Sequence, residues 1–264
     1  MNNEVTTETL QVERLEGVVK ITLNRPDKFN SFNREMALGL QEILDDCDHD
    51  PMVRCILITG NGKAFCAGQD LAEAIDEEGP DLTTIVSEHY NPIIVRLRSI
   101  EKPIVAAVNG VAAGAGANIA LACDICVASE QASFIQAFSK IGLIPDSGGT
   151  YFLPRLVGIQ RATALMMLGD KVSAEDARQM GMIYDVYGAE DFSDKALALA
   201  QKLAQMPTKG LGLTKRALNQ STINTLGEQL ATEGSLQTAA GKTHDYEEGV
   251  RAFLQKRKPV FTGN

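Results

Sequence analysis

Alternating apolar and polar positions mark the first regular element of the chain. The segment GVVKITLNRP (17–26) alternates, is rich in β-branched residues and ends in a turn, which predicts a β-strand. SFNREMALGLQEILDDC (31–47) places its apolar residues at helical spacing, with Ser31 or Asn33 available as the cap. VRCILITG (53–60) is continuously apolar and predicts a buried strand. This order of strand, helix and strand indicates a layered α/β core.

A similar order recurs further along the chain. Its predicted elements are a strand in PIVAAVNG (103–110), a short helix in AGANIALACD (115–124), and strands in ICVAS (125–129) and ASFIQ (132–136). The apolar stretch 104–123 approaches the length that a membrane-spanning helix needs. Asn109 and Asn118 interrupt it, and its bulk is Ala and Gly. A buried strand, turn and helix is therefore the better interpretation.

The pattern from Ser147 onward is helical throughout. Gly158 and Gly181 are typical C-terminal stops, Ser173 is a typical cap, and Pro207 separates two helices. The last segment, 208–256, is expected to consist of helices only.

Composition narrows the class of protein. With 264 residues, 44% hydrophobic and 22% charged, the chain is long enough for one large domain or a domain plus an appendage. A formal net charge of −9 argues against a general nucleic-acid binder, so any polyanionic ligand must meet a local basic patch. The N-terminal residues are polar and acidic, so we expect no secretion signal.

The cysteines and histidines predict neither disulfides nor a metal site. Five cysteines are an odd number at low density, which favours the reducing cytoplasm. Cys123 and Cys126 form a CxxC, but there is no second pair and no nearby histidine. The three histidines are scattered without metal-ligand spacing.

Three loops rich in small residues each follow a predicted strand region. They are KAFCAGQDL (63–71), NGVAAGAGAN (109–118) and LIPDSGGT (143–150). Small residues where the chain leaves a strand for a helix allow a ligand to approach backbone N–H groups closely. One such loop is weak evidence, but three in one domain indicate a single site.

The third loop carries a carboxylate on a constrained turn. Pro145 fixes the backbone before Asp146, and Ser147-Gly148-Gly149 follows. The same residues are also ordinary turn chemistry, with the aspartate as a helix cap. The local pattern alone leaves both interpretations open.

Five segments in a fixed order resemble the enoyl-CoA hydratase/isomerase (crotonase) superfamily over essentially the whole chain. They are LNRPDKFNSF, GNGKAFCAGQDL, VAAVNGVAAGAGANIALACDICVAS, GLIPDSGGTYFLPRLVG and the C-terminal EGVRAFLQKRKPVFTG. Gly114-Ala-Gly116 is not a dinucleotide fingerprint, because it lacks GxGxxG. The resemblance implies an α/β fold, with a ββα spiral core (1–205) that carries an acyl-CoA site. An all-helical C-terminal region (206–264) would serve oligomerisation and cover the CoA.

The resemblance also implies partners and site residues. The substrate is an acyl-CoA, no cofactor is needed beyond its own coenzyme A, neither nucleic acid nor membrane is a partner, and the assembly is a homotrimer or a dimer of trimers. The backbone N–H groups of Gln69 and Ala115 would form the oxyanion hole, Asp146 would be the acting carboxylate, and Asn118 would orient substrate. Implied substrate and CoA contacts are Arg25, Lys28, Phe29, Lys63, Ala67, Gly68, Asp70, Leu71, Gly114, Phe138, Lys256, Lys258 and Phe261. The basic residues among them are equally typical of solvated surface charges.

Two positions bear on the reaction that the resemblance implies. Hydratases of the superfamily activate water between two glutamates, and the matching positions here are Asn118 and Phe138, neither of which can take a proton. Within the superfamily, the chain resembles isomerases of phenylacetate breakdown, which implies conversion of ring-1,2-epoxyphenylacetyl-CoA to oxepin-CoA. The same groups could shift a Δ3-enoyl-CoA double bond to Δ2.

Three alternatives remain. The first is an enoyl-CoA hydratase. The second is a halobenzoyl-CoA dehalogenase with Asp146 as nucleophile, although such relatives bring a tryptophan and a histidine, and this chain has no Trp and only His89 near the required region. The third is a non-catalytic acyl-CoA-binding member.

Overall fold

Two β-sheets form the framework of the chain, which the computed structural model describes at residues 5–6 and 8–264. Within these residues the larger sheet has seven strands in the order β1-β2-β3-β4-β6-β8-β11, and the smaller has four in the order β10-β9-β7-β5. The strands are β1 (Val5–Thr6), β2 (Leu10–Leu15), β3 (Val18–Leu23), β4 (Cys55–Gly60), β5 (Ala64–Cys66), β6 (Ile104–Val108), β7 (Val111–Ala113), β8 (Ile125–Ser129), β9 (Ser133–Ile135), β10 (Lys171–Ser173) and β11 (Asp185–Tyr187).

Helices cover the sheets and make up the C-terminal part. The α-helices are α1 (Arg34–His49), α2 (Leu71–Ala74), α3 (Leu82–Thr84), α4 (Asn91–Ser99), α5 (Ala115–Ala122), α6 (Gly149–Val157), α7 (Ile159–Leu168), α8 (Ala174–Gln179), α9 (Phe192–Ala204), α10 (Thr208–Ser221), α11 (Leu226–Ala240) and α12 (His244–Leu254). A π-helix (Ile85–Tyr90) precedes α4, and 3₁₀ turns occupy Pro26–Lys28 and Ala137–Ile141.

The repeating unit is one strand of each sheet followed by helix. β4 leads directly into β5 and then α2, and β6 leads into β7 and then α5. Each of these connections carries the chain from the larger into the smaller sheet. Because β5 and β7 are parallel neighbours in the smaller sheet, the turns that follow them lie side by side. This confirms the expected α/β core of ββα units.

Burial on both faces explains why the central strands read as continuous apolar runs. In β4, Ile56 and Ile58 face the main core, whereas Cys55 and Leu57 face a second core beneath α9. Parallel strands covered on both sides need apolar residues at every position. The α9 helix closes the second core with Phe192, Ala196, Ala200 and Ala204, which recur every fourth residue along one helix face.

Several elements were predicted correctly and others were not. Asn33 caps α1 by accepting from the backbone N of Met36 at 3.0 Å, and Ser173 caps α8 in the same way. The expectation of helix throughout after Ser147 is wrong, because β10 pairs with β9 and β11 pairs with β8. β2, β5 and β7 were also missed. Most of these missed strands have only three residues, too short to show a period, and they exist because neighbouring strands supply their hydrogen bonds.

The chain after Pro207 is helical to Leu254 and then folds back onto the core. Arg54 fixes this return, donating to the backbone oxygens of Met206 at 2.6 Å and Phe261 at 2.8 Å. The buried Asp245 carboxylate accepts from the backbone N of Thr262 and of Gly263, each at 2.7 Å. That residues 206–264 serve oligomerisation and cover the CoA stays a prediction.

Replacing Asp245 with Ala should release the C-terminal segment. Its buried carboxylate accepts two charge-assisted hydrogen bonds from partly buried backbone donors, so their loss should lower the free energy of unfolding by about 2 to 4 kcal/mol. Urea denaturation measures the loss, and limited proteolysis should cleave after residue 255 more readily. Asp170→Ala, at an exposed aspartate, is the matched control. Equal stability of the two variants would contradict this account of the anchor.

Candidate active site

A cavity of about 590 Å³ opens where β5 and β7 end, and all three small-residue loops reach it. Ala67, Gly68 and Gln69 contribute from the first loop, Gly114 and Ala115 from the second, and Asp146 from the third. Apolar side chains of α2, α3 and the π-helix form much of the remaining wall, together with Phe138 and Leu143. The lining is therefore apolar, with a few polar groups at defined places.

Two backbone donors in this cavity lack a hydrogen-bond acceptor within the part of the chain that the structure describes. Phe32 and Gln69 form a parallel bridge in which the N of Phe32 donates to the oxygen of Gly68 and the N of Asp70 donates to the oxygen of Phe32. The N–H of Gln69 therefore lies on the side of its segment that faces away from Phe32. Ala115 is the first residue of α5, so its N–H has no intrahelical acceptor. Among the described residues, none accepts a hydrogen bond from either N–H.

Close approach of glycine backbones brings these donors together. Gly68 has φ of +97°, and a Cβ there would lie 3.1 Å from the oxygen of Ala113 and 3.6 Å from the nitrogen of Ala115. A Cβ on Gly116 would lie 2.4 Å from the oxygen of Cys66. Larger residues at 68 or 116 would force the two loops apart. Two unsatisfied N–H groups side by side form a site for a negatively charged oxygen.

Asp146 lies on a turn that is held through its backbone. Its carbonyl oxygen accepts from the N of Gly149 at 2.8 Å and from Nδ2 of Asn118 at 2.9 Å. Ser147 and Gly148 continue the turn with φ of 50° and 72°. The interpretation of Asp146 as a helix cap is wrong, because α6 begins after Gly148 with no side-chain cap.

The environment of the Asp146 carboxylate disfavours its charged form. Burial raises its pKa above the usual carboxyl value, and a hydrogen bond from Oγ of Ser147 to Oδ1 at 2.9 Å opposes that rise. No described Lys, Arg or His side chain forms an ion pair with it. A carboxylate that is largely removed from water and has no cation paired with it is a stronger base than an exposed carboxylate.

Asn118 lies behind this turn and outside the cavity lining. Besides donating to the oxygen of Asp146, it accepts from Nε2 of Gln136 at 2.8 Å and is 1% exposed. A Cβ on Gly149 would lie 2.3 Å from Nδ2 of Asn118. The amide therefore fixes the turn that carries Asp146.

The predicted CoA contacts of the first half of the chain fall into two groups. Arg25 and Asp70 form an ion pair at 2.8 Å, and Arg25 also donates to the oxygen of Ser31, so both side chains brace the loops. Lys28 and Lys63 are exposed, and Phe29 is 51% exposed. These three side chains are therefore accessible to a ligand.

The predicted C-terminal contacts lie elsewhere in this chain. Lys256, Lys258 and Phe261 are not among the residues that line the cavity. The backbone oxygen of Phe261 accepts from Arg54, and Arg54 directly precedes the amino end of β4. The cavity lies beyond the carboxyl end of the same strand.

Sequence reasoning missed Tyr90 and Asn30. Tyr90 lines the cavity, and its hydroxyl donates to Oε1 of Gln69 at 2.8 Å. Asn30 is fully buried and donates to the backbone oxygens of Asn61 and Ala64, which ties the turn at 25–32 to the loop before β5. Pro92, two residues after Tyr90, is the sequence signal for an irregular helix at this place, because a proline within a helix leaves a carbonyl of the preceding turn without its usual donor.

The cysteines and the helices add two further findings. All five thiols are buried, and burial raises the pKa of Cys66 and of Cys123 to about 12. In the described part of the chain, no three His, Cys, Asp or Glu side chains are grouped so that they could hold a metal ion. Of the helices in that part, none combines the length and apolar character needed to span a membrane.

Comparison with known proteins gives consistent matches along the chain. Residues 13–264 match the family model described as enoyl-CoA hydratase/isomerase. The chain is 52% identical over 250 residues to 1,2-epoxyphenylacetyl-CoA isomerase of Escherichia coli, covering 94% of this chain and 95% of that protein. It is 43% identical over 255 residues to a Rhodobacter capsulatus protein named "Probable enoyl-CoA hydratase", covering 97% and 98%. The crystal structure of an enoyl-CoA hydratase from Bacillus anthracis matches with a TM-score of 0.90 at 32% identity, covering 97% of this chain and 100% of that one.

Replacing Ser147 with Ala should raise the pKa of Asp146 further. The hydroxyl stabilises the carboxylate, so its loss favours the protonated form, while Ala keeps the Cβ and hence the backbone preference of the turn. Carboxyl ¹³C titration of aspartate-labelled protein measures the shift, with the Asp146 signal assigned by its loss in Asp146→Asn. An unchanged or lower pKa of Asp146 would contradict the proposed environment.

Proposed function

The chain belongs to the enoyl-CoA hydratase/isomerase family, and from this premise we propose that it isomerises an acyl-CoA thioester by moving a proton between carbons. The favoured substrate is ring-1,2-epoxyphenylacetyl-CoA, converted to oxepin-CoA, because the E. coli relative at 52% identity carries the name of that activity. A shift of a Δ3-enoyl-CoA double bond to Δ2 uses the same groups. The observation that carries the proposal is the pair of unpaired N–H groups in one apolar cavity with Asp146.

The thioester oxygen would accept hydrogen bonds from the N–H groups of Gln69 and Ala115. Charge develops on this oxygen when the neighbouring carbon loses a proton, so donors that are already in place stabilise the enolate more than the ground state. Removal of one such donor costs about 3 kcal/mol of transition-state stabilisation in other enzymes. The apolar wall strengthens both bonds because it excludes water.

Asp146 would take the proton and return it. As a carboxylate it accepts a carbon-bound proton next to the thioester, and as a carboxylic acid it donates that proton to another carbon of the enolate. For the epoxide substrate, the bond between the two oxygen-bearing carbons breaks while both C–O bonds remain, which expands the ring to the seven-membered oxepin, and the proton taken from the carbon next to the thioester returns to a ring carbon. No atom is gained or lost in either case, so the product has the mass of the substrate.

Hydration of an enoyl-CoA is the second candidate, because the R. capsulatus relative is named as a hydratase. Water addition by the superfamily mechanism needs two proton-carrying groups. Here Phe138 is a hydrocarbon wall of the cavity, and the Asn118 amide is bonded to Asp146 and Gln136. One carboxylate can shuttle one proton, which suits isomerisation better.

Dehalogenation and a purely binding role receive less support. His89, the histidine nearest the site in sequence, is 1% exposed, lies outside the cavity lining and contacts Arg34 through Nε2 at 3.3 Å. A non-catalytic protein would have no need of an under-solvated carboxylate facing two unpaired donors.

Coenzyme A would lie across the exposed groups near the cavity mouth. Of the contacts that the resemblance implies in the first half of the chain, the side chains of Lys28, Phe29 and Lys63 are exposed. We further propose that Lys256, Lys258 and Phe261 reach the CoA of a neighbouring subunit, in a homotrimer or a dimer of trimers. The exposure of Phe253, Leu254 and Val260, at 83%, 75% and 71%, supports a covered C-terminal surface.

A panel of acyl-CoAs tests the proposal directly. Epoxyphenylacetyl-CoA and a Δ3-enoyl-CoA should each be examined by product mass and absorbance. An isomer of unchanged mass supports the proposal, a gain of water supports the hydratase, and loss of halide from a halobenzoyl-CoA supports the dehalogenase.

Asp146→Asn should abolish most of the isomerase activity while leaving substrate binding nearly unchanged. The amide preserves the shape of the side chain but cannot accept the proton, so kcat should fall by roughly 10²-fold or more. Steady-state kinetics measure the loss, with the exposed Asp170→Asn as the matched control. Full activity of Asp146→Asn would remove this residue, and the proposed mechanism, from consideration.

Replacing Lys256 and Lys258 together with Ala should weaken CoA-ester binding in a salt-dependent way. The turnover at saturation should stay close to wild type, because neither residue lies near the reacting atoms. Titration calorimetry at two ionic strengths measures the effect, and the double variant Lys20→Ala with Lys202→Ala, which also removes two positive charges, controls for net charge. Unchanged affinity would place the phosphate contacts elsewhere, and a stable monomer in light scattering would contradict the shared site.

A further inference from the structure

Tyr90 contacts both groups that hold the Gly68–Gln69 peptide, whose N–H is the first oxyanion donor. The peptide oxygen, that of Gly68, accepts from the N of Phe32 at 2.7 Å. The Tyr90 ring packs edge-on against the Phe32 ring, with centroids 5.8 Å apart. The Tyr90 hydroxyl donates to Oε1 of Gln69 at 2.8 Å.

The Gln69 side chain is held at its other end as well. Its Nε2 donates to Oε2 of Glu73 at 3.2 Å, and the Glu73 carboxylate accepts from the N of Arg34 at 3.0 and 3.2 Å. The amide of Gln69 therefore connects the π-helix, through Tyr90, with the first turns of α1 and α2. A side chain fixed at both ends restricts rotation of its own backbone.

This restriction matters because the preceding residue is a glycine. Gly68 has φ of +97°, a region that glycine adopts without steric cost, so the peptide between residues 68 and 69 has little intrinsic preference for one orientation. A rotation of that peptide would turn the N–H away from the cavity. The bond from Phe32 opposes the rotation at the oxygen, and the bonds to the Gln69 side chain oppose it at the next residue.

The π-helix places Tyr90 for this role. Pro92 has no N–H, so the oxygen of Glu88 loses its usual helical donor, and Nε2 of Gln41 donates to it at 2.7 Å and to the oxygen of His89 at 3.1 Å. The wide turn that results ends at Tyr90, which is fully buried. Burial also raises the pKa of Tyr90 well above its usual value, so the hydroxyl stays a donor at all physiological pH values.

We propose that Tyr90 is a positioning residue of the oxyanion hole, which acts through the Gln69 side chain to keep the Gln69 N–H aimed at the thioester oxygen. The inference rests on the proposed function, because it presumes that this N–H binds a thioester. If this proposal is correct, the side chain of residue 69 contributes to the oxyanion hole as well as its backbone N–H, which explains why a glutamine at this position would be useful.

Tyr90→Phe tests the proposal, because Phe keeps the ring contact with Phe32 and removes only the hydroxyl. We expect kcat to fall roughly 10- to 100-fold, less than for full loss of a donor, since the Phe32 bond remains. KM should change by no more than about twofold. Gln69→Leu should have a similar effect, and the double variant should lose about as much as the stronger single variant. Tyr184→Phe, at an exposed tyrosine, is the matched control and should behave as wild type.

A direct readout uses the infrared spectrum of bound phenylacetyl-CoA labelled with ¹³C at the thioester carbonyl. The stretching frequency falls when the oxygen accepts strong hydrogen bonds. We expect wild type to lower it relative to free ligand and Tyr90→Phe to lose most of that shift, with unchanged thermal unfolding. A wild-type shift that Tyr90→Phe retains in full, or strictly additive kcat losses in the double variant, would overturn the role of Tyr90 alone. A wild-type frequency equal to that of free ligand would overturn the proposed function, and this inference with it.

Discussion

The site depends on the close contact between two backbone turns, after β5 and after β7. Gly68 and Gly116 have no room for side chains, because a Cβ on either would come within 3.1 Å or less of a backbone oxygen of the facing turn. The parallel pairing of β5 with β7 brings the turns to the same sheet edge, and the glycines let them touch. The consequence is that the N–H groups of Gln69 and Ala115 reach one cavity without a protein acceptor. Buried N–H groups are normally paired within the protein, so two that lack an acceptor among the described residues are available to hydrogen-bond a ligand oxygen.

The same low-polarity environment governs the proposed base. Desolvation raises the pKa of Asp146, while the hydrogen bond from Ser147 limits the rise, so the carboxylate is a stronger base than an exposed one. Its position is fixed through the bonds that its backbone oxygen accepts from Asn118 and Gly149, and among the described residues Ser147 is the only other residue that donates to the carboxylate. The protein therefore restrains where the carboxylate lies without neutralising it. Asn118 suits this role because its amide can donate to the backbone oxygen of Asp146 and at the same time accept from Gln136.

The sequence predicted the longer elements and the loops of the site, but not the contacts among them. β3, β4, β6, β8 and α1 have strong patterns and were identified, whereas β10 and β11 depend on strands distant in sequence and were taken for helix. The three loops that meet at the cavity were identified from their small residues, and the resemblance to a family assigned Gln69, Ala115 and Asp146 their roles. Tyr90 could not be found in this way, because its position depends on a π-helix that Gln41, almost fifty residues earlier, stabilises. Pattern rules describe local preference, and such a contact is a property of the folded chain.

The groups that are missing from the described lining of the cavity also bear on the choice between hydration and isomerisation. A hydratase site must hold a water molecule between two proton-carrying groups, and at the place of the second group Phe138 presents an aromatic ring. A water molecule beside that ring would lose hydrogen bonds that the site cannot replace. Asp146 carries the only carboxyl group among the described residues that line the cavity, so in the proposed reaction its carboxylic acid would return the proton to the enolate. Return of that proton to a different carbon would complete the proposed isomerisation, so the hydrocarbon wall would contribute to the choice of reaction together with the carboxylate.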